Sequence, residues 1–323
     1  MKAVRANQTG GSEVLEIVDV PEPEPKAGEI RIRLDAAGLN YIDVYFRKGL
    51  YPARLPSILG VEGAGEVDAV GEGVTRFSVG DRVGYAGTRL GAYAEMQCIP
   101  ADVAVRLPDG ISGRTAAAIM LKGMTAEALV RRCRPIQAGE TVLIHAAVGG
   151  VGLLMTQWAK ALGATVIGTV GSDAKAEIAR AHGCDEVILY RTEDVAARVR
   201  ELTGGRGVPV VYDSVGAATF DGSLASLSRR GMLVSFGNAS GPVPPVAPLQ
   251  LSRGGSLYLT RPTLGDYTAT VDELDASAAA LFEVVLSGSV RVRIGAERPL
   301  AEAREAHDAL EARDTVGATL LIP

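Results

Sequence analysis

The run Thr141-Val142-Leu143-Ile144-His145-Ala146, followed at once by Ala147-Val148-Gly149-Gly150-Val151-Gly152 and then by helix-favouring residues 153–162, constrains the fold more than any other part of the chain. An apolar strand, a glycine-rich turn and a helix in that order begin a strand–helix–strand unit, and repeated units of this kind build a parallel sheet covered by helices. The alternation does continue. Strand-like text recurs at Thr165–Val170, Glu186–Leu189, 208–212 and 233–236, with helical text at 174–181 and Val195–Leu202. The fold class that follows is α/β, with a doubly wound parallel sheet of Rossmann type.

Small residues in the turn let the backbone approach a pyrophosphate closely, and the free amides of the next helix favour an anion there. Gly149, Gly150 and Val151 are the expected contact positions. Ala147 stands where the usual fingerprint has its first glycine, so an ordinary strand-to-helix turn is the alternative. The second strand, Thr165–Val170, arrives at the spacing a dinucleotide site needs. At its end stands Gly171-Ser172-Asp173-Ala174-Lys175, where a hydroxyl and an ammonium suit the 2′-phosphate of NADPH. Asp173 is the dissenting residue: it could serve a ribose diol, or cap the following helix.

The rest of the chain reads differently. Residues 29–105 form short strand-like runs separated by glycines, as in Gly60-Val61-Glu62-Gly63-Ala64-Gly65-Glu66-Val67, where bends or close backbone approach are expected. An alanine-rich helical stretch over 112–132 and a break at 135–139 place a domain transition near residue 123. With 323 residues, the chain has room for about two domains of roughly 150 residues. A net charge of -5 without a cationic stripe argues against nucleic acid as a partner. The polar N-terminus and the absence of an apolar run of about 18 residues argue against a secretory signal or a membrane span, leaving the cytoplasm as the expected location. Cys98, Cys133 and Cys184 are widely spaced, and His145, His182 and His307 fall in no ligand pattern, so no metal is expected.

Further motifs carry a resemblance: Gly38-Leu39-Asn40-Tyr41-Ile42-Asp43, Gly49-Leu50-Tyr51-Pro52, Gly80-Asp81-Arg82-Val83, Leu121-Lys122-Gly123-Met124-Thr125, Val211-Tyr212-Asp213-Ser214-Val215-Gly216 and Val234-Ser235-Phe236-Gly237-Asn238, together with the glycine turn. With these the chain resembles, nearly end to end, the zinc-independent NADPH:quinone oxidoreductases, the ζ-crystallin-like branch of the medium-chain dehydrogenase/reductase superfamily. The resemblance implies a GroES-like catalytic domain from both chain ends (1–122 and 263–323) around a central Rossmann domain (123–262), with NADPH in the cleft between them. It places Asn40, Tyr41, Ile42, Asp43, Tyr45 and Tyr51 near the nicotinamide and Thr125 at the start of the cofactor domain. It puts Gly171, Ser172, Lys175 and Tyr190 around the adenosine phosphate, and Ser214, Phe236, Gly237, Asn238, Ala239, Pro262, Thr263 and Leu264 along the remaining cofactor, with Arg313 adding a charge. One position departs from close relatives, Ala128 in place of a tyrosine, and Gly60-Val61-Glu62 stands where zinc-dependent members of the superfamily have Gly-His-Glu.

The expected chemistry is reduction of a quinone or other conjugated carbonyl without metal, the hydride coming from the nicotinamide. Asn40, Tyr45 and Tyr51 are the candidate catalytic groups: the tyrosines as donors to developing charge on oxygen, Asn40 as an orienting group. A packed aromatic cluster of Tyr41, Tyr45, Phe46 and Tyr51 is the structural alternative. His145 and Asp213, at strand ends, read as hydrogen-bonded framework. Two other functions stay open: reduction of an enone or alkenal double bond, and NADPH binding with little turnover in a structural or RNA-linked role. The β-prone stretch 255–260 suggests an edge strand through which a homodimer forms.

Overall fold

A computed structural model describes residues 1–87 and 89–323. The chain forms two compact units, 1–124 with 267–286 and 292–323, and 125–266 with 287–291. In chain order the elements are β1 (Lys2–Ala6), β2 (Leu15–Asp19), β3 (Glu29–Leu39), α1 (Tyr41–Lys48), β4 (Ser57–Ile58), β5 (Glu62–Val70), β6 (Arg82–Ala86), β7 (Met96–Pro100), β8 (Ala104–Arg106) and α2 (Gly113–Glu127). They continue with β9 (Thr141–Ile144), α3 (Gly150–Ala161), β10 (Thr165–Val170), α4 (Asp173–Ala181), β11 (Glu186–Leu189), α5 (Val195–Leu202), β12 (Val208–Asp213), α6 (Phe220–Ser226), β13 (Leu227–Ser235), α7 (Pro248–Arg253) and β14 (Tyr258–Thr260). The last are α8 (Leu264–Tyr267), α9 (Val271–Leu286), β15 (Ile294–Pro299), α10 (Ala303–Glu311) and β16 (Ala318–Ile322).

The first unit is β-rich because period-two alternation runs through its strands. In β3, Ile30, Ile32 and Leu34 point to the core while Arg31 and Arg33 stay more exposed. Each such apolar side chain contributes roughly 1.5–3 kcal/mol by leaving water. The main sheet runs β15-β16-β3-β5-β6-β8, with β7 also paired to β3, and a smaller sheet runs β2-β1-β4. Of the glycines in 60–67, Gly60 turns the chain at a left-handed φ of 86° before β5, whereas Gly63 and Gly65 lie inside that nine-residue strand. Their role is close approach, since a Cβ on Gly65 would stand 1.9 Å from the Arg33 carbonyl oxygen.

The second unit is a six-stranded sheet in the order β11-β10-β9-β12-β13-β14, with every adjacent pair parallel. That order places β9 beside β12, where the winding reverses and doubly wound folds open a crevice at the carboxyl ends of their strands. Residues 287–291 join this unit: the Arg291 amide donates to Gln157 Oε1, and Gln157 Nε2 donates to the Arg291 carbonyl.

Three element readings need correction. The helix over 112–132 is α only to Glu127, after which Ala128–Cys133 widens into a π-helix. The strand expected at 233–236 is the end of the longer β13, which Arg230 bends with a left-handed φ of 60°. The cap of α4 is Ser172, whose extended backbone lets its Oγ accept the Lys175 amide at 3.4 Å. Asp173 is the first helical residue instead.

Candidate active site

In the second unit, the expected cofactor residues that follow its strands fall at one edge of the sheet. After β9 the chain turns through Ala146, a non-glycine residue at φ 52°, and Gly149 in extended conformation opens α3. The turn leaves no room for a side chain at Gly152. A Cβ on Gly152 would lie 2.2 Å from the Ala146 carbonyl oxygen, a backbone atom that cannot step aside cheaply. Gly149 and Gly150 leave the backbone bare ahead of Val151 at this corner, with no acidic side chain in the first turn of the 12-residue α3. Such a corner offers amide donors to an anion.

The loops after β12 and β13 are zipped to each other. The Phe236 amide donates to the Asp213 carbonyl at 2.8 Å, the Ala239 amide to Ser214 at 3.3 Å and the Ser240 amide to Val215 at 2.7 Å. This brings Ser214, Phe236, Gly237, Asn238 and Ala239 together, with Gly237 so close to the Ser214 backbone that a Cβ would meet its oxygen at 2.3 Å. Pro262, Thr263 and Leu264 follow β14 at the same edge, and Thr263 Oγ1 donates to Asp266 Oδ2 at 3.0 Å. Thr125 lies in α2 and is partly buried.

Beneath the glycine turn lies a buried hydrogen-bond chain of which the sequence singled out only His145 and Asp213. Ser223 Oγ donates to Asp213 Oδ2 at 2.7 Å, so it accepts from His145 Nε2 at 3.0 Å. That fixes the proton on Nε2 and leaves Nδ1 to accept from Thr169 Oγ1 at 3.1 Å, while Thr169 Oγ1 also receives the Ala146 amide at 3.3 Å. Burial lowers the His145 pKa, opposed by the nearby Asp213, so the ring stays neutral. The other Asp213 oxygen takes the amides of Val215 and Gly216. His145 and Asp213 thus tie the ends of β9, β10 and β12 into one frame.

At the ends of β10 and β11, Val170 registers with Leu189, which sets Gly171 and Ser172 beside Tyr190. Tyr190 Oη would stand 2.7 Å from a Cβ on Gly171.

In the first unit, Asn40 precedes α1 and is held from two sides. Its amide donates to Asp43 Oδ2 at 2.8 Å, and its side-chain Nδ2 donates to Glu62 Oε2 at 2.8 Å and to the Gly38 carbonyl at 3.1 Å. Glu62 is fully buried and also takes Lys122 Nζ and the Leu121 amide, each at 2.7 Å. Asp43 is fully buried too, and burial pushes its pKa up to about 7 against the pull of Tyr93 and the Asn40 amide. Its side chain anchors α1 from within, while Tyr41 and Ile42 are only partly buried. Tyr45 packs edge-on against Tyr51 with centroids 5.2 Å apart, Phe46 against Tyr51 at 5.8 Å, and Tyr41 against Tyr45 at 6.0 Å. The aromatic cluster is real, and it leaves Tyr51 half-buried. Arg313, at a left-handed φ of 62°, hydrogen-bonds the Tyr41 hydroxyl, whose pKa burial raises.

Residues 26–109 match the family described as "Alcohol dehydrogenase GroES-like domain", and residues 150–277 match "Zinc-binding dehydrogenase". The residues present do not fit a zinc ion. Among the described residues no three His, Cys, Asp or Glu side chains gather as a metal requires, and the Glu62 oxygens already hold the Lys122 ammonium and two amides. The chain is similar to the quinone oxidoreductase of Pseudomonas aeruginosa, at 54% identity covering 100% of this chain and 99% of that one. A 2-haloacrylate reductase of a Burkholderia species is 42% identical, covering 96% and 95% of the two chains. The solved structure of Escherichia coli quinone oxidoreductase in complex with NADPH superposes with a TM-score of 0.98 at 47% identity, covering all of both chains. On whole-length similarity at this level, the chain belongs to the quinone oxidoreductase family of the medium-chain dehydrogenase/reductase superfamily.

Proposed function

We propose that this chain is an enzyme that reduces a quinone at the expense of NADPH. The observation that carries the reading is its end-to-end likeness to quinone oxidoreductases. The corner at Gly149, Gly150 and Val151 suits a pyrophosphate, because it presents the amides that open α3 on a turn packed so closely that a Cβ at Gly152 would press on the Ala146 carbonyl. Ser172, Lys175 and Tyr190 suit the 2′-phosphate, and Ser214, Phe236 to Ala239 and Pro262 to Leu264 suit the rest of the dinucleotide. When bound, NADPH supplies the hydride. The protein's own part is to bind, to orient and to stabilise charge. Reduction of a quinone to the hydroquinone needs a hydride and a proton, and negative charge develops on oxygen as the hydride arrives. Tyr45 and Tyr51 are the proposed donors to that oxygen. Asn40, its amide spent on Glu62 and Gly38, acts by fixing the start of α1. Replacing both tyrosines by phenylalanine lowers kcat about 10²-fold if they are donors; an unchanged kcat makes them pocket wall.

The test is NADPH oxidation by the purified protein with a 1,4-quinone and an enone in parallel, repeated with NADH. Faster turnover of the quinone with NADPH is expected. The likeness to a 2-haloacrylate reductase favours a second reading, reduction of an activated carbon–carbon double bond, and faster turnover of the enone would establish it instead. NADPH binding without turnover of either acceptor would overturn both.

We further propose a homodimer paired along β14, an edge strand whose Tyr258 is 57% exposed. A cytoplasmic location is supported by the three free cysteines, which suit a reducing compartment. No helix among the described residues is long and apolar enough to cross a membrane.

A further inference from the structure

Arg191, which follows β11, is assigned no role by the motifs or by the resemblance. It is an exposed arginine whose side chain nonetheless folds back towards the sheet. The guanidinium lies back over the end of β10: a Cβ on Gly171 would be 3.4 Å from Arg191 Nε, just as it would meet Tyr190 Oη at 2.7 Å. Gly171 thus leaves the space that the phenol and the guanidinium share. Among the described residues no carboxylate forms an ion pair with Arg191, whereas Arg198 on α5 is tied to Glu201 at 2.6 Å. A hydroxyl, a phenol and a guanidinium therefore collect where β10 and β11 end, from Ser172, Tyr190 and Arg191, and Lys175 follows in the first turn of α4.

A phosphate monoester carries nearly two negative charges at neutral pH and offers three acceptor oxygens. Lysine meets such a group as a point charge, while arginine presents a planar fork that can take two oxygens at once. We propose that Arg191 is a specificity-determining residue that grips the 2′-phosphate of NADPH beside Tyr190, making the two-pronged contact that Lys175 cannot. The assignment rests on the NADPH reading above and deepens it.

Two fragments separate the possibilities: 2′,5′-ADP, which carries the 2′-phosphate, and 5′-AMP, which lacks it. Their dissociation constants are measured by titration calorimetry on the full-length wild type, Arg191→Ala and Lys175→Ala. Because charge-assisted hydrogen bonds are the strong ones, Arg191→Ala should weaken 2′,5′-ADP by about tenfold or more and leave 5′-AMP within about twofold. Unchanged binding of 2′,5′-ADP by Arg191→Ala, beside a clear loss in Lys175→Ala, overturns the role of Arg191 alone. Equal weakening of both fragments by Arg191→Ala overturns it too. A wild type that does not distinguish the fragments overturns the NADPH preference itself. Arg191→Lys refines the result: full recovery would show that charge suffices and would overturn the two-pronged contact.

Discussion

Glu62 is fully buried and satisfied by Lys122, Asn40 and the Leu121 amide. Removing one partner of such a pair strands a charge in a medium that cannot solvate it, at a cost of about 3–5 kcal/mol. Lys122→Met should therefore lower the unfolding free energy by that amount in a denaturant titration, and adding Glu62→Gln should restore part of it. A loss below about 1 kcal/mol would show that water reaches the pair. Gly152→Ala tests the bare corner instead. Its Cβ would press on the Ala146 carbonyl, so the turn must open, and NADPH binding measured by nucleotide fluorescence should weaken at least tenfold while the circular dichroism spectrum is kept. The sequence announced Gly152, because a glycine turn is a local pattern. It could not announce Lys122 as the partner of Glu62, because only the packing of α2 against β5 brings the two together.

At the scale of elements, β10, β11 and α5 have the bounds their text suggests, since each is a single apolar strand-like or helical run. Other elements obey contacts that no local pattern carries. The Arg134 amide donates to the Leu129 carbonyl at 3.2 Å, five residues back, where the α ladder has given way to the wider π turn. Tyr212 Oη donates to the Arg134 carbonyl at 2.8 Å, from a strand far along the chain, and pins the end of that segment. The short strand β14 follows Leu257, which is buried and donates its amide to Leu251, so Tyr258 is the position where pairing can be probed without disturbing the core. A lysine on an edge strand disfavours a second strand beside it. Tyr258→Lys should shift the protein to monomer in sedimentation velocity, and an unchanged dimer would move the interface elsewhere.

For the molecule as a whole, two opposed groups in the first unit have the largest bearing on the slope of stability between pH 3.8 and 6.5. Asp43, raised by burial from 3.8 to about 7, holds a proton that the unfolded chain releases, so its contribution is full below pH 3.8 and is lost as pH rises through 7. His307, lowered from 6.5 to about 3 by burial and then by Arg47, refuses a proton that the unfolded chain takes, so its contribution is full above pH 6.5 and is lost as pH falls towards 3. Tyr93 joins them, its hydroxyl 2.8 Å from Asp43 and 3.2 Å from His307, while Arg47, Glu311, Glu62 and Lys122 are the charged groups around them. Between pH 3.8 and 6.5 the two slopes cancel. Asp43→Asn removes one of them, so relative to wild type the variant should lose about 1.4 kcal/mol per pH unit on acidification through that window. Denaturant melts at pH 6.5, 5.5 and 4.5 check it, and parallel curves for the two proteins would refute it. The pairing of Thr319 with Leu39 also sets a timetable. All six strands of the parallel sheet lie before residue 261, so they can assemble while the ribosome is still at work. The first unit must wait with the β3 edge open until β16 emerges, and in those seconds a nascent chain has more need of a chaperone there than in any later part of its life.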